Sequence, residues 1–409
     1  MSDNKKKIPI PESLIKQQYQ TQTEMLEVVK KANKLTIGIP TETRLRENRV
    51  ALVPASISGL VAAGHHILVE QGAGLKTNYT DHRFSEAGAE IAYSKEQVFK
   101  SNILIKVAPP TIEEIDLMHP GQVLISPLQI PILSTNYIEK LLKKRVIALA
   151  MEYIKDEFGS FPIVRTMSEI AGIIAMTTAA ELMTSTNGGK GALLGAVSGV
   201  PSAKVVIIGA GVVAEVATRV AMGLGAEVRI FDNNISKLMR IQGNIGRPLN
   251  TSSLNHYQLT KELLTADVAI GAMHSTSGRS PVIVSEDIVA EMKQGAVIVD
   301  VSIDQGGCFA TSRVTSHDQP TFVKHGVIHY CVPNIASKVA RTASIAVSNI
   351  MTPLLLKAGD TGGFESVLFN NHGLRNGVYT FKGSLTNEYL SKRYGFKFTD
   401  LDLLMTSNL

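Results

Sequence analysis

Residues 204–234 read KVVIIGAGVVAEVATRVAMGLGAEVRIFDNN. A short apolar strand runs straight into Gly209-Ala210-Gly211-Val212-Val213-Ala214, a G-x-G-x-x-A turn that opens a helical pattern. Each small residue has a job there. Gly209 permits the tight turn, Gly211 lets a pyrophosphate come close to the backbone, and Ala214 lets helix and strand pack closely. The N–H groups of the helix's first turn, that of Val213 among them, favour the negative phosphates. The next strand, AEVRIF, ends in Asp232, about 20 residues beyond the glycines, where a carboxylate accepts the adenosine ribose hydroxyls and repels a 2′-phosphate. The stretch therefore predicts a βαβ unit that takes NAD in preference to NADP, with Lys237 one helical turn further on either a solvated surface lysine or a residue at the ribose edge.

Outward from this unit the pattern continues. SSLNHYQLTKELLTADVAIGAM, VIVSEDIVAEMKQGAVIVDVS and HGVIHYCVPN supply further strands and helices of the same domain. Upstream, KLTIGIP, RVALVP, ASISGLVAAG and HHILVEQGAG give an earlier strand, helix and strand, and EAGAEIAY, SNILIKVAPP, GQVLISPLQIP, STNYIEKLLKKR and VIALAMEY repeat it, the order expected of a parallel sheet. Two helical runs, from about Ile170 to Met183 and from about Ala336 to Leu356, are apolar nearly all round or interspersed with Ser and Thr, as suits helices at a seam between domains. The last fifty or so residues, from GDTGGFES, read as helices and loops covering the first domain. The fold class is α/β, with two Rossmann-like doubly wound domains. The boundaries are a polar extension over 1–34 with a marginal amphipathic helix, a discontinuous substrate domain over 35–162 and 341–409, and an inserted NAD-binding domain over 163–340.

Composition narrows the function. The 409 residues are 44% hydrophobic and 19% charged, so the chain is long and apolar enough for a sizeable core. The excess of 41 Lys and Arg over 36 Asp and Glu is mild and forms no basic face of the kind nucleic-acid binding needs. Uninterrupted apolar stretches fall short of the ~18 residues of a membrane span, and MSDNKKKIPIPES lacks the apolar core of a signal peptide, so a cytoplasmic protein is expected. Cys308 and Cys331 read as small packing residues, and no metal-ligand spacing is present.

A nicotinamide enzyme must orient a substrate, neutralise its negative groups and move a proton alongside the hydride. Arg49 offers a fork that matches a carboxylate. Lys106 ends the apolar run ILIK and points either into a cleft or out to the surface. Asp304, before Gln305-Gly306-Gly307, lies at the carboxyl end of a strand, the ligand-binding edge of a doubly wound sheet. Ser168 stands where it would cap the buried helix or touch a cofactor at the seam. His274 is a further candidate acid.

In order along the chain, IGIPTETRLRENRVALVP, GHHILVEQGAG, ILIKVAPP, MSEIAG, GGKGALLGAVSGV, GAGVVA, DVSIDQGGCF and CVPNIASKVARTAS resemble the family of bacterial alanine dehydrogenases and of the NAD-binding domain of proton-translocating transhydrogenase, closer to the former. The resemblance covers about residues 35–409. It implies NAD-dependent oxidative deamination of L-alanine to pyruvate and ammonia, in a homo-oligomer that is commonly a hexamer. By it Arg49 would hold the pyruvate carboxylate and Asp304 would stand beside nicotinamide and substrate. Ser168, Gly209, Asp232, Lys237, Ile303 and Asn334 would line the coenzyme. Two positions depart from the family. Ala108 stands where it has a substrate lysine, with Lys106 two residues earlier on the same strand face as a substitute. Gln129 stands where it has a proton-donating histidine, so that a carbonyl can still be hydrogen-bonded but acid work passes to Asp304, Lys106 or water. An NAD-linked dehydrogenase of another amino or imino acid, and an NAD-binding subunit or sensor without alanine activity, stay open as alternatives.

Overall fold

The computed structural model describes residues 34–44, 47–130, 133–275 and 278–406. The helix expected within 1–34 lies outside them, apart from Lys34. Six parallel strands start the first sheet: β1 (Thr36–Ile39), β2 (His66–Glu70), β3 (Glu90–Ala92), β4 (Ile103–Ile105), β5 (Val123–Ser126) and β6 (Ile147–Ala150). A second sheet holds β7 (Lys204–Ile208), β8 (Glu227–Phe231), β9 (Asn250–Ser252), β10 (Val268–Gly271), β11 (Val297–Asp300), β12 (Thr321–Lys324) and β13 (Val327–Tyr330). The parallel cores run β3-β2-β1-β4-β5-β6 and β9-β8-β7-β10-β11-β13, each the 3-2-1-4-5-6 order of a doubly wound fold. Each has its switch point where the strand order reverses, between β1 and β4 and between β7 and β10.

Alternation explains why these strands read as continuous apolar runs. Along β5, Val123 and Ile125 face one hydrophobic cluster and Leu124 the opposite one. In β7, Val205 and Ile207 face one cluster while Val206 and Ile208 face another. Both faces of both sheets are covered, as parallel sheets require. Cys308 and Cys331 are buried free thiols.

Two long helices join the layers. Pro162–Leu182 places Ile163 in the core of the first sheet and Ile170, Ala175 and Ala179 in that of the second. Ala340–Asp360 runs the other way, from Ala343 in the second core to Val347, Met351 and Leu355 in the first. Length and composition alone would let Pro162–Leu182 and Ile335–Asp360 cross a membrane. Their engagement in both cores explains that apolar character.

Several local expectations are corrected. The first long helix begins at Pro162, whose fixed φ suits a first turn, so Ser168 lies inside the helix and caps nothing. Between the first strand and its helix, RVALVP forms no regular element before the helix starts at Pro54. Ser344 Oγ accepts the Val50 N–H at 2.9 Å and Ser348 Oγ the Val53 N–H at 3.1 Å, so helix hydroxyls do the work of a neighbouring strand. The C-terminal segment is more than helices and loops. β14 (Val378–Phe381) joins β6 antiparallel and turns into β15 (Ser384–Leu385). Lys382 and Gly383 between them both have positive φ, 48° and 98°, as a two-residue hairpin of type I′ demands.

Gly209 is required where it stands. Its φ is 114°, and a Cβ there would lie 2.3 Å from the carbonyl oxygen of Ala272. Gly209→Ala is expected to cost at least 1–3 kcal/mol of stability, roughly the price of such backbone strain, seen as a lower urea midpoint together with weakened NADH binding. An unchanged midpoint would show that the turn has room.

Candidate active site

The carboxyl ends of both sheets carry the charged residues. On the second sheet, Gly211 is the N-cap of the Val212–Gly223 helix, and a Cβ built on it meets nothing within 4 Å, so open space lies over the first turn. Ala214 is fully buried and Val213 packs against the same core. From the end of β8, Asp232 accepts the Ala210 N–H on Oδ2 and the Asn234 N–H on Oδ1, both at 2.7 Å. Arg240 braces the turn from the other side through the Ala210 carbonyl at 2.8 Å. Each Asp232 oxygen keeps lone-pair capacity for a ribose hydroxyl. The glycine turn, the open space and the braced carboxylate fit a dinucleotide. Lys237 is half-buried, and its charge, added to burial, holds His274 below the ordinary histidine range. That leaves His274 neutral at pH 7 and unsuited to donate a proton there.

The second charged group lies where the sheets meet. Arg49 is buried, and its fork is already taken: Nε donates to Glu47 Oε1 and Nη2 to Glu47 Oε2, both at 2.7 Å. Nη2 also donates to Asn334 Oδ1 at 2.7 Å, while Nη1 meets the Met167 sulfur at 3.2 Å. Asn334, in the left-handed region at φ 55°, donates its side-chain amide to Glu47 Oε2 and its backbone N–H to Asp304 Oδ1, the latter at 2.9 Å. Ser337 Oγ donates to Glu47 Oε1 at 3.2 Å and accepts the Asn48 N–H at 3.0 Å. One network thus joins Arg49, from the segment after β1, to Asp304, from the turn after β11, through Glu47 and Asn334. Glu47 went unread in the sequence, although an acid two residues before Arg49 in an extended segment shares its side.

The electrostatics follow. Burial works against ionisation of Glu47, but the charge and hydrogen bonds of Arg49 outweigh it and hold the carboxyl below the usual range. Asp304 is densely surrounded and yet exposed, the condition of a group lining a crevice. Partial desolvation by the groups crowded around it pushes it above the usual carboxylate range, against the Asn334 N–H and the charge of Arg49. It is therefore easier to protonate than a surface aspartate. Beneath it, Asp300 accepts the N–H groups of Ser302 and Cys308 and the Ser312 hydroxyl, at 3.0, 2.8 and 2.7 Å, which fixes the turn that carries Asp304. Ile303 is buried in that turn, and Ser168 is half-buried along the long helix, one residue from Met167.

Lys106 does not take the role of a free pocket ammonium. It is 1% exposed, and Nζ lies 3.0 Å from Glu42 and 3.5 Å from Glu114, which is itself paired with Lys95 at 2.7 Å. Burial disfavours its charge, but the two carboxylates hold it above the ordinary lysine value. An isolated cation would not survive in so apolar a place, and the chain supplies its counter-ions. Lys106→Met would strand those carboxylates and is expected to cost about 3–5 kcal/mol, read from urea unfolding. A variant of native stability with only a raised substrate KM would instead restore Lys106 to the pocket. Ala108 is fully buried and brings no charge.

Gln129 follows β5 with φ 48°, a strained conformation for a residue with a side chain. Glu152, just beyond β6, holds that bend by accepting the N–H groups of Leu128 and Gln129 on Oε1, at 2.7 and 3.2 Å. Burial raises the Glu152 pKa.

Comparison with known proteins identifies the family. Residues 38–171 match the N-terminal domain, and residues 175–388 the C-terminal domain, of the family described as alanine dehydrogenase/PNT. The alanine dehydrogenase of Mycolicibacterium smegmatis is 38% identical over 367 residues, 90% of this chain and 98% of that one. That of Bacillus subtilis is 38% identical over 365 residues, 89% of this chain and 96% of its own. A solved L-alanine dehydrogenase superposes with a TM-score of 0.82 at 34% identity, covering 88% of this chain and 99% of that one. A transhydrogenase from Sinorhizobium meliloti, at TM-score 0.74 and 21% identity over 87% of this chain and 99% of that one, shares the fold. With both domains matched in order and relatives aligned over nine-tenths of its length, the chain belongs to the alanine dehydrogenase/PNT family.

Proposed function

We propose that this protein is an NAD-dependent dehydrogenase that converts L-alanine, NAD and water to pyruvate, ammonium, NADH and a proton, reversibly. The observation that carries the reading is the convergence of Arg49 and Asp304, from different domains, on one Asn334-bridged network. NAD is favoured by Asp232, whose carboxylate opposes a 2′-phosphate. Bound there, the nicotinamide supplies the hydride acceptor.

The chain's own residues do the rest. Glu47 holds the Arg49 fork in place, and Nη1, which has no carboxylate partner among the described residues, takes the substrate carboxylate. Loss of hydride from Cα leaves an iminium, which water must attack. Asp304 accepts the proton of that water and returns it to the departing amine, a task suited to a carboxyl titrating above the usual range. Gln129 hydrogen-bonds the forming carbonyl. We read 35–162 and 341–409 as the substrate domain and 163–340 as the coenzyme domain. A cytoplasmic homo-oligomer, by family resemblance a hexamer, is in keeping with apolar side chains such as Ile173 and Ile345 left on the outer faces of the long helices.

The test is a steady-state assay of NADH formation with L-alanine at alkaline pH, beside other small amino acids. Alanine turnover well above the others is expected. A folded protein that binds NADH but favours another amino acid would move the substrate assignment, and one that turns over none would leave a coenzyme-binding subunit.

A further inference from the structure

The turn after β11 carries, beside Asp304, a residue the reaction leaves unused. Gln305 Oε1 accepts the Ser275 N–H at 2.8 Å, and Gln305 Nε2 donates to the Ser275 carbonyl at 2.9 Å. The amide thus pairs in both directions with one backbone residue, as a neighbouring strand would. The Gln305 carbonyl also accepts the Ser280 N–H at 2.8 Å, and Ser302 Oγ of the same turn accepts the Met273 N–H at 2.9 Å.

The segment so held is well placed. Ala272–Ser275 leaves the carboxyl end of β10 at the switch point between β7 and β10, where doubly wound sheets bind their ligands. Its first carbonyl lies against the Gly209 turn, close enough that any Cβ at Gly209 would strike it. Asp232 marks the β8 side of the cleft as the adenosine side. The β10 and β11 ends, with Asp304, therefore flank the other half of the dinucleotide. Ala272 is held by the strand beside it, its N–H donating to the Ile208 carbonyl of β7 at 2.8 Å, while Met273 and Ser275 beyond it are tied to the turn after β11. The side of the segment is closed by the Gln305 amide and the Ser302 hydroxyl.

We propose that Gln305 is a positioning residue for the nicotinamide half of the coenzyme, acting by clamping Ser275 so that 272–275 forms a fixed wall beside the turn that carries Asp304. The inference rests on the coenzyme reading above. It also separates two tethers on one turn. Asn334 ties Asp304 to the substrate arginine, and Gln305 ties the same turn to the coenzyme wall.

Gln305→Met keeps length and removes both hydrogen bonds. NADH and ADP-ribose, which lacks the nicotinamide, are titrated into the native protein and the variant. The expected result is roughly a tenfold rise in the NADH Kd, about what two hydrogen bonds' worth of positioning is worth, with ADP-ribose binding essentially unchanged. Equal weakening of both ligands would reveal a merely structural role, and no weakening of either would show that the clamp positions nothing. Either overturns the assignment. Should Gln305→Met fail to fold, Gln305→Glu, which keeps the acceptor for Ser275 N–H and sets a carboxylate oxygen against the Ser275 carbonyl, carries the same comparison. Failure of the native protein itself to bind NADH would sink the underlying coenzyme reading, an outcome visible before any variant is compared.

Discussion

Asp304→Asn is expected to lower kcat by about a thousandfold, within the range that general acid–base groups contribute, while NADH still binds. The substitution keeps the shape of the side chain and its acceptor for the Asn334 N–H, so the bridge between the domains survives. It removes only the ability to hold a proton. Because partial desolvation raises the Asp304 pKa, native oxidative turnover should climb as pH rises through that raised value and the carboxylate forms. In the variant that limb of the pH profile should vanish. Retention of the limb at full height would transfer the proton to another group, and the buried Glu152 that holds Gln129 would be the next to substitute.

The second large effect concerns Arg49. Arg49→Ala removes a substrate ligand and at the same time leaves Glu47 buried without its cation. Breaking a buried pair in this way costs about 3–5 kcal/mol. Stability and catalysis should therefore fall together, with kcat/KM for alanine down at least about a thousandfold when an Arg–carboxylate contact is also lost. Arg49→Lys divides the two. An ammonium still neutralises Glu47, so most of the stability should return, but it lacks the planar fork that reaches Glu47, Asn334 and substrate at once, and KM should stay high. Full catalytic recovery with lysine would mean that charge alone suffices. The sign with pH is fixed by Glu47. Its folded pKa is depressed, so its contribution to stability is complete above the unfolded carboxylate value and is lost as pH falls through the depressed one.

Much of this was readable from residues alone, for reasons that can be named. The G-x-G-x-x-A turn and Asp232 are local in sequence, and each position has a steric or electrostatic demand that few residues meet. The doubly wound parallel architecture followed from repeated βαβ units. What escaped was non-local. Nothing near Arg49 announces that Asn334, almost three hundred residues away, shares its fork with Glu47. Lys106 at the end of an apolar run looks alike whether it faces a pocket or a pair of buried acids, and only the fold brings Glu42 and Glu114 to it. RVALVP has strand composition, yet the serines of a distant helix take its N–H groups. The hairpin of β14 and β15 did leave a trace, VYTF followed by Lys-Gly and Ser-Leu, which is alternation around a two-residue turn. The helical company of the C-terminal segment masked it.

The most direct test of the central claim, that one crevice joins the Gly209 turn, Arg49 and Asp304, is a crystal structure of the complex with NADH and pyruvate. The expected result is a diphosphate over Gly211, the pyruvate carboxylate within about 3.2 Å of Arg49 Nη1, and Asp304 within hydrogen-bond reach of the reacting carbon's oxygen. Coenzyme seated elsewhere, or pyruvate held by groups remote from Arg49, would contradict it.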